Sequence, residues 1–317
     1  MTVENLLTEK NRSQLNTILG TLLSGKSLSP VARNYLISCK AEGKSGRTVE
    51  LYSWVLSEFN KNFNPEKATA GDIRLFLLAR QESGKKPSTV HIFYRSLKTF
   101  YNFLVRERIL KESPMLNIRS PKLDKVLIHP FNSQDIDNLM LLCSGNTFLD
   151  LRSRAMFLIF LDTGIRLEEM SRIKLSDLNL NNGIIRIMGK GSKERVVRIG
   201  LKAQKALLKY LLARKDEYPN LWLTEERRPM NLTGVKTAVR RYCARAVVSG
   251  ARPSPHTFRH TFAIRAFEAG AREFEIQSLL GHSTLEMTRR YMSSLNSEKS
   301  INAHVKFSPV DNDSSIK

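Results

Sequence analysis

Met156-Phe-Leu-Ile-Phe-Leu-Asp-Thr-Gly-Ile-Arg-Leu-Glu-Glu169 is the stretch from which the architecture is read. Its first half belongs to a run, Arg152 to Asp162, so nearly apolar that the helix it predicts belongs at the centre of a core. Gly164 ends that helix, and another begins at once with Arg166 in its first turn. Free backbone N–H groups and the positive end of the helix dipole would welcome an anion beside the guanidinium. Taken alone, a surface arginine paired with Glu169 is the simpler reading.

Working outward, the upstream sequence is helical. Val90, Phe93, Leu97, Phe100, Tyr101 and Leu104 recur at i, i+3/i+4 and i+7, while Arg95, Lys98, Arg106 and Arg108 occupy other positions of the same helix. Similar patterns over about 30–42, 46–63, 69–82 and 87–108 predict a small all-helical bundle with basic faces. An amphipathic helix is expected at about 3–23, ended by Gly25 and Pro30. The charged, proline-containing stretch Arg119–Lys125 reads as a linker. Downstream, Gln134–Cys143 reads as a helix. Ile184–Met188 and Val196–Ile199 are β-branched runs around Gly189-Lys-Gly-Ser-Lys193, which predicts a β-hairpin. Helical patterns resume from Leu201 to Lys215 and run on towards 305, before a polar, frayed end from Ser308. The expected fold is mainly α with a small β-hairpin or sheet. Its divisions are an N-terminal extension over 1–26, a helical domain over 27–120, a linker over 121–130, a larger mixed domain over 131–308 and a tail over 309–317.

Charge narrows the partner. Lys and Arg number 51 against 30 Asp and Glu, a formal +21. Residues 1–125 carry 21 against 11 and residues 126–317 carry 30 against 19, so both halves are basic. Such an excess suits a polyanion, because neutralised phosphates release condensed counterions. The three cysteines, Cys39, Cys143 and Cys243, are scattered and lack CxxC spacing, which argues for a reducing cytosol and against a zinc site or a disulfide framework. Glu9, Lys10 and Arg12 interrupt any leader-like apolar run, and no stretch approaches the ~20 apolar residues of a membrane span. A cytoplasmic protein without a membrane partner is expected.

Three further clusters carry chemistry. Lys190 and Lys193 sit on the glycine-rich hairpin tip, which a solvated basic turn explains equally well; Gly191 after Lys190 and the misplaced Gly183 exclude a P-loop. In Ser254-Pro-His-Thr-Phe-Arg-His260, a serine cap with proline at the first position starts a helix. It sets His256 and Arg259 one turn apart near that helix end, and puts Phe258, Phe262 and Ala266 on a core face. His256 and His260 have metal-ligand spacing, but Thr257 stands where H-E-x-x-H needs glutamate, which argues against zinc. In Leu279-Leu-Gly-His-Ser-Thr-Leu-Glu-Met-Thr-Arg-Arg-Tyr291, Gly281 caps one helix, and Ser283 with Glu286 opens the next. His282 falls in the corner between them and Tyr291 two turns on, where a tyrosine is ordinarily a packing residue. Together, two arginines, a lysine, two histidines and a tyrosine are what phosphoryl transfer to a phenol oxygen requires. No carboxylate cluster suggests magnesium.

In order and spacing, Thr-Gly-Ile-Arg166-Leu-Glu-Glu169, Gly-Lys190-Gly-Ser-Lys-Glu-Arg195, His256-Thr-Phe-Arg259-His260 and Leu-Gly-His282-Ser with Tyr291 resemble the tyrosine recombinase (phage integrase) family, closest to its Xer-like, arm-less members. The likeness spans about 30–305, with the upstream bundle matching the family's core-binding domain. It implies that Arg166 and Arg259 clamp a scissile DNA phosphate, His282 hydrogen-bonds to it, Lys190 protonates the leaving 5′-oxygen, and His256 assists acid–base transfer. Tyr291 would form a 3′-phosphotyrosyl bond, with no ATP, metal or other cofactor. Glu169 and Asp177 would support Arg166 and the fold; Arg95, Lys98, Lys193 and Arg195 would contact DNA. A C-shaped clamp on duplex DNA is implied, with four protomers around two sites, the segment from Tyr291 to Val305 docking on a neighbour, and a paired recombinase or accessory protein as a further partner. Alternatives are a type IB topoisomerase-like relaxing activity and a catalytically silent DNA-binding accessory protein or repressor.

Overall fold

The computed structural model describes residues 28–123, 129–189, 194–248 and 254–281. The expected helix at 3–23, part of the linker, the hairpin tip with Lys190 and Lys193, and everything from His282 onward lie outside the described residues. The chain divides into two compact units, Met1–Lys125 and Val126–Lys317.

In the first unit, helices α1 (Pro30–Ala41), α2 (Gly46–Asn60), α3 (Ala70–Glu82) and α4 (Pro87–Arg106) follow the sequence periodicity closely. Their starts are chemical. Ser29, Ser45 and Thr69 each accept a hydrogen bond from a first-turn amide, and Asp72 reaches back to the Thr69 amide at 2.8 Å. Each such cap stabilises its helix by about 1 kcal/mol. The α4 stripe is fully buried: Val90, Leu97, Phe100, Tyr101 and Leu104 expose nothing. Phe59, Phe76 and Phe93 interlock edge-to-face at centroid distances of 4.9 and 5.4 Å. Arg95 and Lys98 stand exposed on the opposite face of α4.

The second unit is built around α6 (Phe148–Thr163), which packs on α8 (Leu201–Ala213) and on α10 (Pro255–Glu268). Its companions are α5 (Ser133–Leu142), the short α7 (Leu167–Arg172), α9 (Leu232–Arg245) and α11 (Glu273–Leu280). Phe157 and Phe160 stack against Phe258 of α10, each pair at 5.5 Å, and Phe131 closes on the same ring at 4.8 Å. The expected hairpin is present, as part of a three-stranded antiparallel sheet, β1 (Leu178–Asn179), β2 (Ile184–Met188) and β3 (Glu194–Arg198). Ile185, Ile187 and Val197 face the core.

Two expectations are corrected. The helical pattern beyond Leu201 breaks between Arg214 and Asn231, where Pro219 and Pro229 sit and β-bridges pair Lys174 with Asn220 and Leu223 with Pro229. Trp222 is buried there and donates its indole N–H to Met170 O at 2.9 Å, tying the loop to α7. The second correction concerns Arg166, which is the N-cap residue of α7 and not part of its first turn.

Candidate active site

Gly164 makes the corner on which the site turns. It adopts φ +58° as the C-cap of α6, and a methyl group there would lie 2.6 Å from Phe262 and 2.7 Å from Leu280. Only glycine combines that backbone with that closeness. Ile165 is then buried as an anchor, and Arg166 follows with extended backbone.

The guanidiniums of Arg166 and Arg259 come from different helices and meet at one place. Arg259 is 2% exposed on α10, donating Nη1–H to Gly164 O and Nη2–H to Leu280 O, each at 2.8 Å. Arg166 donates Nη2–H to Gly281 O at 2.8 Å. Two cations thus hold consecutive carbonyls at the C-terminal end of α11, where the helix dipole is negative. Gly281 closes that helix in the left-handed region, φ +62°. The next residue in sequence is His282.

Glu169 supports this arrangement from within. Its carboxylate accepts from the Arg166 backbone amide at 2.7 Å and from Arg166 Nη1 at 3.1 Å. Arg195 binds it with both arms, Nη1 at 2.6 Å and Nη2 at 2.9 Å. Burial alone would raise the Glu169 carboxyl. The Arg195 hydrogen bonds, the Arg166 amide and the two positive charges outweigh burial and hold it at about 2. The Arg166–Glu169 pairing that explains the sequence most simply therefore exists, but its carboxylate is buried and not at the surface. Because the Arg166 amide is satisfied by Glu169 and α7 is only a turn and a half long, the helix end adds little anion affinity.

The remaining expectations divide. Ser254 caps α10 with Pro255 at the first position, its Oγ accepting from the Thr257 amide at 3.3 Å. His256 is exposed on the first turn of that helix. Its neighbour His260 is pushed down to about 4 by burial, with His256 and Arg259 adding to the shift. Asp177 caps the 3₁₀ turn Leu175–Asp177 by accepting from the Lys174 amide at 2.8 Å, so it supports the fold and has no hydrogen bond to Arg166 among the described residues. Lys190, Lys193, His282 and Tyr291 lie outside the described residues. Lys98 sits 5.9 Å from the Tyr94 ring centroid. Arg195, expected to contact DNA, turns its guanidinium inward to Glu169, with its side chain 18% exposed. The sequence carries the signal for this. Arg195 is two residues before Val197 on β3 and opposite Ile187 on β2, so a period of two puts it on the buried face. A cleft of about 600 Å³ is lined by Glu169, Asp177 and Arg186 but not by Arg166, His256 or Arg259, so it is separate from the place where the arginines meet.

Residues 131–298 match the family model described as the phage integrase family. The chain is 34% identical over 272 residues to tyrosine recombinase XerC of Thermodesulfovibrio yellowstonii, covering 81% of this chain and 89% of that protein. Against tyrosine recombinase XerD of Oceanobacillus iheyensis it is 30% identical over 252 residues, with coverage of 77% and 84%. Among solved structures, XerH site-specific recombinase bound to a palindromic difH substrate has the same fold, with a TM-score of 0.70 at 19% identity and coverage of 94% and 90%. The Tn1549 transposon integrase in complex with a circular intermediate DNA also scores 0.70, at 18% identity and coverage of 87% and 99%.

Proposed function

The chain belongs to the phage integrase family and is a tyrosine recombinase, a DNA breaking-and-rejoining enzyme of site-specific recombination, and from that premise we propose how its residues share the work. The observation that carries the proposal is the meeting of Arg166 and Arg259 at the Leu280 and Gly281 carbonyls. Two guanidiniums there can neutralise charge on the non-bridging oxygens of a phosphate as the transition state forms. The Tyr291 oxygen attacks phosphorus, with His256 helping to move the phenol proton. The bond to the 5′-oxygen breaks, and Lys190 supplies the proton that the departing alkoxide needs. His282 hydrogen-bonds to the phosphate. The resulting 3′-phosphotyrosyl ester keeps the energy of the broken phosphodiester, so a 5′-hydroxyl from a partner strand can reverse the step and release Tyr291.

The partner is double-stranded DNA carrying a recombination site. The first unit acts as the core-binding domain and offers Arg95 and Lys98 to phosphates, with Lys193 contributing from the hairpin tip. The working assembly is a homotetramer joined through the segment after Tyr291. Similarity to XerH bound to difH and to the Tn1549 integrase on its circular intermediate supports DNA as the partner. The cytoplasm is the proposed location. Cys39, Cys143 and Cys243 are free and buried, and no described helix is long and apolar enough to cross a membrane.

The test is covalent trapping. On a nicked duplex that lets the cleaved end diffuse away, the wild type accumulates a protein–DNA adduct, and Tyr291→Phe binds the same DNA without forming one. An adduct in the Tyr291→Phe variant overturns the nucleophile assignment.

A further inference from the structure

Glu169 serves two arginines unequally. Its side chain is 4% exposed and cannot turn to water for its remaining lone pairs. Arg195 holds it with two short, parallel bonds of 2.6 and 2.9 Å, whereas the Arg166 guanidinium contributes one bond of 3.1 Å. A fork-to-fork pair is the strongest geometry open to a carboxylate, so Arg195 has the larger share of this anion. Its Nε–H makes no hydrogen bond within the described residues. That edge lies instead against Gly281, where an added methyl group would stand 3.4 Å from Cδ, Nε and Cζ. Gly281 is also the residue whose carbonyl Arg166 binds. Arg195 therefore binds one group that orients Arg166 and lies beside the residue that supplies the other, and it does so from β3.

We infer that Arg195 is a positioning residue that keeps Arg166 available to phosphate by occupying Glu169. The inference rests on the reading of Arg166 as a phosphate ligand. With Arg195 in place, Glu169 needs only one Nη–H of Arg166, and the rest of that guanidinium stays free of the carboxylate. Without Arg195, a buried carboxylate has one cation left, and it draws Arg166 into a two-point pair that competes with substrate.

The test uses the full-length protein and a pool of short nicked duplexes randomised on both sides of the nick. Adducts are captured on denaturing gels, and binding is measured over a range of salt. Arg195→Met should leave affinity and salt slope unchanged while adduct formation at saturating DNA falls about 100-fold, the size of effect that small misplacements of catalytic groups produce. Adding Glu169→Gln to Arg195→Met should recover about 10-fold, because an amide has no charge with which to hold Arg166; such coupling is the mark of residues acting as a unit. Arg195→Lys, which keeps the charge but not the fork, should fall between Arg195→Met and the wild type. A weaker affinity with a salt slope smaller by about one would make Arg195 a DNA contact and overturn the inference. A double variant slower than either single variant would make the pair a scaffold only, and the inference would fall equally. A wild type that forms no adduct on this pool overturns the reading of the site itself, and a normal adduct rate in Arg195→Met overturns only the coupling.

Discussion

Arg95 and Arg259 stand at opposite ends of what this chain does with a cation. Arg95 is exposed on α4, a helix held by the apolar stripe on its other side, so its charge costs the fold nothing and is available to any polyanion. Arg259 is 2% exposed and is itself part of the framework, binding the carbonyls of two helix ends, Gly164 and Leu280. A basic face on a bundle tunes attraction, while a buried guanidinium joins folding to chemistry. Substitutions in the two places should therefore differ in kind.

The largest effect is expected at the buried end. Arg259→Met keeps the length and apolar stem but leaves the Gly164 and Leu280 carbonyls without the partners they have now, at about 1–3 kcal/mol for each buried group left unsatisfied. It also removes half of the proposed phosphate clamp. Adduct formation should fall by about 100- to 1,000-fold, the usual loss for a donor aimed at developing charge. The melting midpoint should fall as well. A variant that loses activity at full stability would show that the framework does not depend on this guanidinium, and the contrast with Arg95 would narrow to chemistry alone.

Next in size is the acid limb of stability. Glu169 is held at about 2 from an ordinary 4.5, so the folded state releases this proton more readily than the unfolded chain. The resulting stabilisation is complete above about 4.5 and is lost as pH falls towards 2, on the order of 3 kcal/mol in all. Glu169→Gln should flatten the stability curve over that window. His260, pushed down to about 4 from 6.5, acts at higher pH: its stabilising effect is present above 6.5 and is lost between 6.5 and 4. His260→Gln should remove that limb and leave the Glu169 limb in place. Denaturant titrations at stepped pH would separate the two, and a single merged transition unaffected by either substitution would contradict both.

The same contrast explains what can be read from residues alone. Helices are legible where an apolar stripe repeats, as from Val90 to Leu104, or where a cap opens one, as at Ser254-Pro255, because both signals are local, whereas the caps at Ser29 and Thr69 emerge only in the structure. The hairpin is legible from Ile184–Met188 and the glycine-rich tip. β1 is not, since Leu178 and Asn179 are too few to show a period and owe their strand geometry to β2. The loop from Arg214 to Asn231 escapes a sequence reading because Leu221, Trp222 and Leu223 are an apolar run too short to show a period of its own. What straightens them is pairing with a distant segment, Leu221 N–H to Ile173 O at 2.8 Å. Arg166 and Arg259 stand out by motif and spacing. The inward turn of Arg195 is easily overlooked because a basic residue after a glycine-lysine tip suggests DNA before it suggests a buried carboxylate, although the strand alternation points to the core.

The smallest expected effect lies on the exposed face, and it is the one that defines the comparison. Arg95→Ala and Lys98→Ala remove cations whose side chains hold no helix end. Stability should move by less than about 0.5 kcal/mol, as surface changes usually do. Each substitution should lower the slope of log affinity against log salt by about one if its cation meets a phosphate. Lys98 lies 5.9 Å from the Tyr94 ring, a distance at which cation–π attraction at an exposed site is worth no more than about 0.5–1 kcal/mol, so it should lose marginally more stability than Arg95. The adduct rate at saturating DNA should stay at the wild-type value, because a contact that only attracts is made equally before and during the reaction. A rate that falls at saturation would mean that α4 also governs how the scissile phosphate is presented, and attraction and chemistry would no longer divide between exposed and buried cations.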